Sequence, residues 1–402
     1  MVDLASAHYP SGREKIISVF LVHHIAAWDA LSGIYEAMVS SPDFLPVVIS
    51  IPFNFNSGRQ GIFDGEDDVH RGLAATNVSH LRFNFLDHSQ GLAKLKSIQP
   101  DILFRQSPWD PDIPPAYATG ALDFTRLVYT DYGIGILQDN PANIRIDYDQ
   151  DLHRRAWMLL CANEEQKHIY ETLTSHKGRR AVVTGYPKFD KLVQRGRERK
   201  FWPIESATRK FRLIWAPHHS VRPGHLGFGT FPFVFREIMQ WIFRNPDVEV
   251  VLKPHPMLFE SCAHGMLTRE DVEKFLALWR SLPNTDYVTG GDYGPLLAAS
   301  DAMLTDGITF LVEYQLFDKP LIWLDSGRHI GFNSIGQKVL NGLHTAKSAA
   351  EALNLVGEIR KRTDDPLREK RAEVVRTLMP YPGASASRVL DAIRVGLRDR
   401  PP

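Results

Sequence analysis

Ile16-Ile17-Ser18-Val19-Phe20-Leu21-Val22, followed after two histidines by the stretch Trp28 to Val39, decides how the chain is read. The first run is short and apolar, as a strand buried on both faces must be, and the second spaces its apolar residues at the helical period. Strand then helix is half of a βαβ unit. The rhythm returns at Leu45 to Ile51, Asp101 to Phe104, Leu127 to Tyr129 and Ala181 to Thr184, so a doubly wound parallel sheet is expected. A second series starts at Phe211 to Ala216 and continues at Val248 to Leu252, Ala302 to Thr305 and Pro320 to Leu324, with a helix Phe231 to Arg244 after its first strand. Between the series, Asp190 to Phe211 is polar and basic, contains Pro203, and reads as a linker. The expected class is therefore α/β, with two Rossmann-like domains facing a central cleft. The boundaries are 1–195 for the first domain and 205–383 for the second. Residues 384–402 are expected to form a helix crossing back to the first, on the amphipathic pattern of Ala384 to Arg398.

With 402 residues and 44% hydrophobic content, the chain is long enough for two cores. Lys plus Arg and Asp plus Glu both number 47, so no global basic field draws nucleic acid, and no nucleic-acid partner is expected. Cys161 and Cys262 are the only cysteines, which argues against a disulfide framework and a clustered zinc site and fits a reducing, cytoplasmic compartment. Met1 to Arg13 is polar and no apolar run approaches the roughly 18 residues of a membrane span, so neither a signal peptide nor an integral segment is expected. Basic stretches at Arg360-Lys361-Arg362, at Arg368 to Arg371 and towards Arg398 read either as solvated helix faces or as a peripheral contact with the inner, anionic membrane surface.

The chemistry concentrates at strand ends. Val251-Leu252-Lys253-Pro254-His255-Pro256 stops a strand at a histidine between two prolines, which fix φ and hold the imidazole at the strand tip, where it can donate to a phosphate oxygen. Ser300 to Phe310 reads as a buried strand, a polar turn carrying Thr305, Asp306 and Thr309, and then a helix Leu311 to Phe317 whose N–H groups suit a diphosphate. Both threonines equally suit simple capping. Glu313, placed by this reading on the first turn, can accept from ribose hydroxyls or merely complement the helix dipole. Trp215-Ala216-Pro217-His218-His219-Ser220-Val221-Arg222 ends another strand in two histidines, a hydroxyl and an arginine, groups suited to a phosphoryl group. Adjacent histidines have the wrong spacing for a helical metal pair, so no metal is expected there. Asp110 and Asp112, in Gln106 to Asp112, have a metal-clamp spacing, but Pro111, Pro114 and Pro115 mark a turn, and the pair reads as capping or acceptor-binding.

These blocks resemble the CDP-glycerol glycerophosphotransferases, which polymerise teichoic-acid and capsule-like backbones. Val183-Thr184-Gly185-Tyr186-Pro187-Lys188-Phe189-Asp190 is similar to the family's Gly-Tyr-Pro-Arg-x-Asp signature, and Trp215 to Arg222 to its strand-Ala-Pro-Thr-x-Arg block. Lys253 to Pro256 matches the Lys-x-His-Pro block; Thr305 to Tyr314 with Asp318-Lys319-Pro320 matches the Thr-Asp-Tyr-Ser-Ser and Lys-Pro blocks. The resemblance runs from about Lys15 to about Leu343. It implies the GT-B architecture, an N-terminal acceptor domain, a C-terminal nucleotide-donor domain, and no cofactor. It implies that His255, Thr309 and the helix after it hold the donor diphosphate, with Arg222, Lys253, Thr305, Asp306 and Glu313 beside them. The chain departs where the family has Trp-His-Gly-Thr, whose His is the base, and reads Tyr129-Thr130-Asp131-Tyr132-Gly133-Ile134 instead. Asp131 and Tyr132 are the substitutes, with His23 and His24 as rivals. Gly307 and Ile308 replace Tyr-Ser in the donor block, which predicts a divergent specificity.

The leading reading is a transferase that moves a glycerol-phosphate, or similar alditol-phosphate, from a CDP-linked donor to a hydroxyl of a glycan or lipid-linked acceptor, releasing CMP. Its catalytic groups are Asp131 or Tyr132 with His218 and His255, and His23, Trp28, Asp110 and Asp112 face the acceptor, with Asp29 near them. Two alternatives stand beside it: a GT-B glycosyltransferase using a nucleotide sugar, and a non-catalytic binding subunit of a polymer-assembly complex.

Overall fold

The structure, a computed structural model, describes residues 14–54, 62–138, 145–222, 226–263 and 265–399; the polar stretch Met1 to Arg13 lies outside them. Two compact units result, one within residues 1–134, 140–190 and 379–402 and the other within 135–139 and 191–378. Each is a parallel sheet, the arrangement that near-continuous apolar strands require because both faces are covered.

In the first unit the strands are β1 (Ile16–Val22), β2 (Phe44–Ser50), β3 (His80–Arg82), β4 (Ile102–Arg105), β5 (Arg126–Thr130), β6 (Met158–Cys161) and β7 (Ala181–Val183), in the order β3-β2-β1-β4-β5-β6-β7. Phe20, Val22, Phe104, Val128 and Leu160 form its core with Leu31 and Ile34 of the helix Asp29–Val39. Val389, Leu390, Ile393 and Leu397 of the helix Ser385–Asp399 join the same core. The Gly-Tyr-Pro block fixes that last helix. Gly185 has φ +82°, and a Cβ there would stand 2.5 Å from Ser385 Oγ. Asp190 accepts from Gly383 N–H at 2.7 Å and from Ser385 N–H at 3.0 Å, satisfying donors at the helix start. Asp190→Ala is expected to lower stability by about 1–2 kcal/mol, as loss of an N-cap does, measured by chemical denaturation.

The second unit contains β8 (Phe211–Ala216), β9 (Val248–Leu252), β10 (Thr285–Tyr287), β11 (Ala302–Thr305), β12 (Leu321–Leu324) and β13 (His344–Ala346), ordered β10-β9-β8-β11-β12-β13. An aromatic wedge fills one face: Trp215 stacks on Phe231 at 5.5 Å between ring centroids, and Phe275 and Trp279 pack against both sheet and helix. Where a linker was expected from Asp190 onward, the chain is helical over Pro187–Glu198, with Pro at the start, where its missing N–H costs nothing. Among the described residues no helix is long and apolar enough to cross a membrane.

Both strand orders reverse direction once, between β1 and β4 in the first sheet and between β8 and β11 in the second. Open α/β sheets bind ligands at the carboxyl ends of strands beside such a reversal.

Candidate functional site

At the reversal of the second sheet, β8 and β11 end side by side, with Thr305 paired to Ala216. Thr305 Oγ1 donates to Ala216 O at 2.7 Å and accepts from Gly307 N–H at 2.9 Å, so this threonine ties two strand tips together. The tip of β9 is docked alongside, because His255 N–H donates to Pro217 O at 3.0 Å. Asp306 lies beneath, 2% exposed. One carboxylate oxygen accepts from His218 N–H at 2.5 Å, the other from Thr230 N–H at 2.5 Å and Thr230 Oγ1 at 2.7 Å. Burial pushes its pKa up to about 6 against the pull of those donors. Asp306 thus binds the protein's own loops, and its part at the site is to position them. Asp306→Asn, which turns one of the two acceptor oxygens into a donor opposite a backbone N–H, is expected to cost about 1–3 kcal/mol, checked by thermal melting.

Three imidazoles meet above Asp306. The His218 and His219 rings are 4.4 Å apart, His219 stacks on His255 at 4.0 Å, and a ring nitrogen from each lies within 4.8 Å of the others. Chain spacing between residues 218 and 219 gave no hint of this, because the third ring arrives from the neighbouring strand. The cluster has the composition of a metal site, yet the hydrogen bonding of His255 differs from that of a metal ligand. His218 Nδ1 meets Ser220 Oγ at 2.8 Å and Ser220 N–H at 3.3 Å, and Met257 N–H donates to His255 Nδ1 at 3.2 Å. A backbone N–H has only a proton to give, so the His255 Nδ1 is the acceptor and its neutral ring carries the proton on Nε2. Metal-ligating histidines show the reverse, donating their second N–H to a carbonyl or carboxylate and keeping a lone pair for the ion. Burial, with His219 and Lys253 adding to it, lowers the His255 pKa to about 4, so the ring is a neutral N–H donor at physiological pH.

Lys253, on the same strand tip, is 7% exposed. Burial lowers its pKa, and the charge of Glu313 opposes the shift. Its ammonium lies 5.2 Å from the centre of the Tyr293 ring, whose hydroxyl donates to Glu313 Oε2 at 2.7 Å. Glu313 does not stand on a first turn. The α-helix covers only Ile308–Glu313, followed by a 3-10 turn over Tyr314–Phe317, and the carboxylate sits at the helix end, buried. Six residues are under two turns, so this helix carries only a small dipole. Thr309 is exposed on this helix, and Arg222 is exposed in the loop after β8.

In the first unit, the reversal between β1 and β4 is closed by protein. Gln106 Oε1 accepts from His23 N–H at 2.8 Å and His24 N–H at 2.9 Å, and His23 Nε2 meets Ser107 Oγ at 3.1 Å. Burial, Arg105 and His24 lower the His23 pKa to about 3. Trp28 lies in the core against Phe20, and one Asp110 carboxylate oxygen is taken by Arg105 and by Thr119 N–H and Oγ1. These two therefore serve packing and loop closure. Asp112 is partly exposed, and burial raises its pKa. Asp131, just beyond β5, receives a hydrogen bond from Gln166 Nε2, whose Oε1 is itself anchored by Ala162 N–H at 2.7 Å. Burial pushes the Asp131 carboxyl up to about 7, while bonds from Tyr129, Gln166 and Tyr170 pull it down and Asp147 pushes it further up. Tyr132 is 46% exposed, edge-on to Trp109, and its pKa is raised to about 12, so it stays protonated. Gln166 and Tyr293 went unread in the sequence: neither sits in a periodic run or a motif.

The family model of the CDP-glycerol:poly(glycerophosphate) glycerophosphotransferases matches residues 133–394. The chain belongs to this family. No curated protein matches it in sequence. Among solved structures, a protein from Listeria monocytogenes assigned as a UDP-N-acetylglucosamine 2-epimerase is similar with a TM-score of 0.68 at 14% identity, covering 96% of this chain and 98% of that one. The UDP-GlcNAc 2-epimerase of Neisseria meningitidis, bound to UDP-GlcNAc, gives 0.60 at 13% identity, with 95% and 100% covered. A variant of the wall teichoic acid polymerase TagF, soaked with CDPG, gives 0.59 at 14% identity, with 96% and 89% covered. At such identities the likeness is one of fold, and that fold is GT-B. For this glycerophosphotransferase-family member, transferase chemistry is the general activity that the family carries.

Proposed function

We propose that the protein transfers a glycerol-phosphate, or similar alditol-phosphate, from a CDP-linked donor to a hydroxyl of a glycan or polymer acceptor and releases CMP. The observation that carries this reading is His255, whose Nδ1 accepts the Met257 N–H and whose neutral ring therefore bears its proton on Nε2, on the same strand tip as Lys253. Donors and a cation at a strand-order reversal suit a diphosphate, and catalysis is then positioning plus electrostatics.

In the reaction, the acceptor oxygen forms a bond to the phosphorus that bears glycerol, and the bond from that phosphorus to the bridging oxygen of CMP breaks. The acceptor proton passes to Asp131, whose carboxyl is pushed up to about 7. The charge growing on the leaving CMP phosphate is met by His255 Nε2–H and Lys253. Thr305 and Asp306 position these groups, and Thr309, Arg222 and Glu313 are the further residues we assign to the donor side. Two free, buried thiols suit a cytoplasmic setting, where a lipid-linked acceptor would be met at the inner membrane surface.

The test is CMP release from CDP-glycerol with a glycerol-phosphate oligomer as acceptor. Elongated product with one CMP per unit added supports the reading. Release of UDP from a UDP-sugar in its place moves the case to glycosyl transfer, and no turnover with any donor points to a binding subunit.

A further inference from the structure

Tyr293 is not used by the reaction as drawn, yet one side chain touches two groups of the donor site. It precedes the helix Gly294–Ala299, is partly exposed, and packs edge-on against Phe310 at 5.7 Å. Its ring face lies under the Lys253 ammonium at 5.2 Å, and its hydroxyl donates to Glu313 Oε2 at 2.7 Å. A lysine stem has four rotatable carbons, and fixing it when a ligand arrives costs up to about 2 kcal/mol of rotamer entropy. A ring face that attracts the ammonium reduces that cost by holding it beforehand. The hydrogen bond to a buried carboxylate fixes the ring in turn and leaves more electron density on the phenol, which strengthens its attraction for a cation.

We propose that Tyr293 is a positioning residue for the donor diphosphate, holding the Lys253 ammonium with its ring, and that Glu313 acts on the donor through the Tyr293 hydroxyl. The inference rests on the donor-site reading above. It makes Lys253, Tyr293 and Glu313 one coupled unit, so their effects on binding must overlap, whereas merely structural roles would add independently.

The measurement is calorimetric titration of CDP-glycerol into the wild type, Lys253→Met, Tyr293→Leu, Tyr293→Phe, Glu313→Gln and the paired variants, with melting curves for each. Lys253→Met and Tyr293→Leu should each weaken binding by roughly 5–10-fold, and the pair should be no weaker than Lys253→Met alone to within about 2-fold. Tyr293→Phe removes the hydrogen bond, and Glu313→Gln keeps an acceptor oxygen but removes its charge, so the pair should be no weaker than Tyr293→Phe alone to within about 2-fold. It also decides the matter if the leucine variant does not fold. Multiplying effects in the pairs, or wild-type affinity in Tyr293→Leu, overturns the inference while leaving the donor site in place. If the wild type itself binds no CDP-glycerol, the donor-site reading fails and takes this inference with it.

Discussion

Asp131→Asn should lose transfer by about 10²–10⁴-fold, the contribution of a general base, while CDP-glycerol binding is unchanged. The carboxyl has the two properties such a base needs. It is held in place, because Gln166 donates to it and is itself anchored at Ala162. It also titrates where it is useful, since burial pushes it up to about 7. The wild-type rate should therefore rise with pH as this group ionises, through about pH 7, and then level off. The groups that set the value are Tyr129, Tyr170, Gln166 and Asp147, and loss of the Gln166 bond in Gln166→Leu should move the rise to higher pH. A separate stability signature follows from linkage. The folded-state pKa is raised from 3.8, so the unfolded chain releases this proton first and stability falls as pH rises from about 4 to about 7. Asp131→Asn removes that loss. Its melting temperature relative to the wild type should be unchanged below about pH 4 and should climb to a plateau above about pH 7. Retained transfer in the variant, or a flat wild-type pH profile across this window, contradicts the assignment.

His255→Ala should weaken donor binding and cut the rate by about 10²-fold or more, the scale of losing one donor to a developing negative charge. The structure also fixes the pH behaviour. Burial and its cationic and imidazole neighbours hold the ring's pKa at about 4, so it works as a neutral donor. CDP-glycerol affinity should then be flat between about pH 7 and pH 8, above the range in which Asp306 changes charge. If an imidazolium were needed instead, affinity would fall by up to tenfold per pH unit throughout that range, and such a fall would show the neutral-donor assignment to be wrong. EDTA should leave donor binding unchanged.

Much of the fold was legible because parallel strands buried on both faces leave uninterrupted apolar runs: β1, β8, β9 and β11 occupy the residues that their sequences mark. The strands that escaped have physical reasons for it. β3, β10 and β13 have three residues each and read His-Leu-Arg, Thr-Asp-Tyr and His-Thr-Ala, without the apolar run that marks the equally short β7. β6 reads Met-Leu-Leu-Cys, without a β-branched residue, and suits a helix as well. At the site, the motifs marked strand tips, and the prolines around His255 gave its place. What the motifs could not give were relations across strands: the ring of His219 stacked on His255, the ring of Tyr293 under Lys253, and the amide of Gln166 on Asp131. Nor could they separate residues that face a ligand from those that face the protein. Asp306 and Asp110 carry acid groups in promising loops, and both spend them on neighbouring backbone and hydroxyls.

The most direct test is calorimetric titration of the full chain, with EDTA present, against CMP, CDP-glycerol, UDP and UDP-N-acetylglucosamine, repeated with His255→Ala. The account predicts binding of the two cytidine ligands, weakened by about tenfold or more in the variant, and no comparable binding of the uridine ligands. Preferential binding of UDP or its sugar, or cytidine binding that ignores the loss of His255, would contradict it.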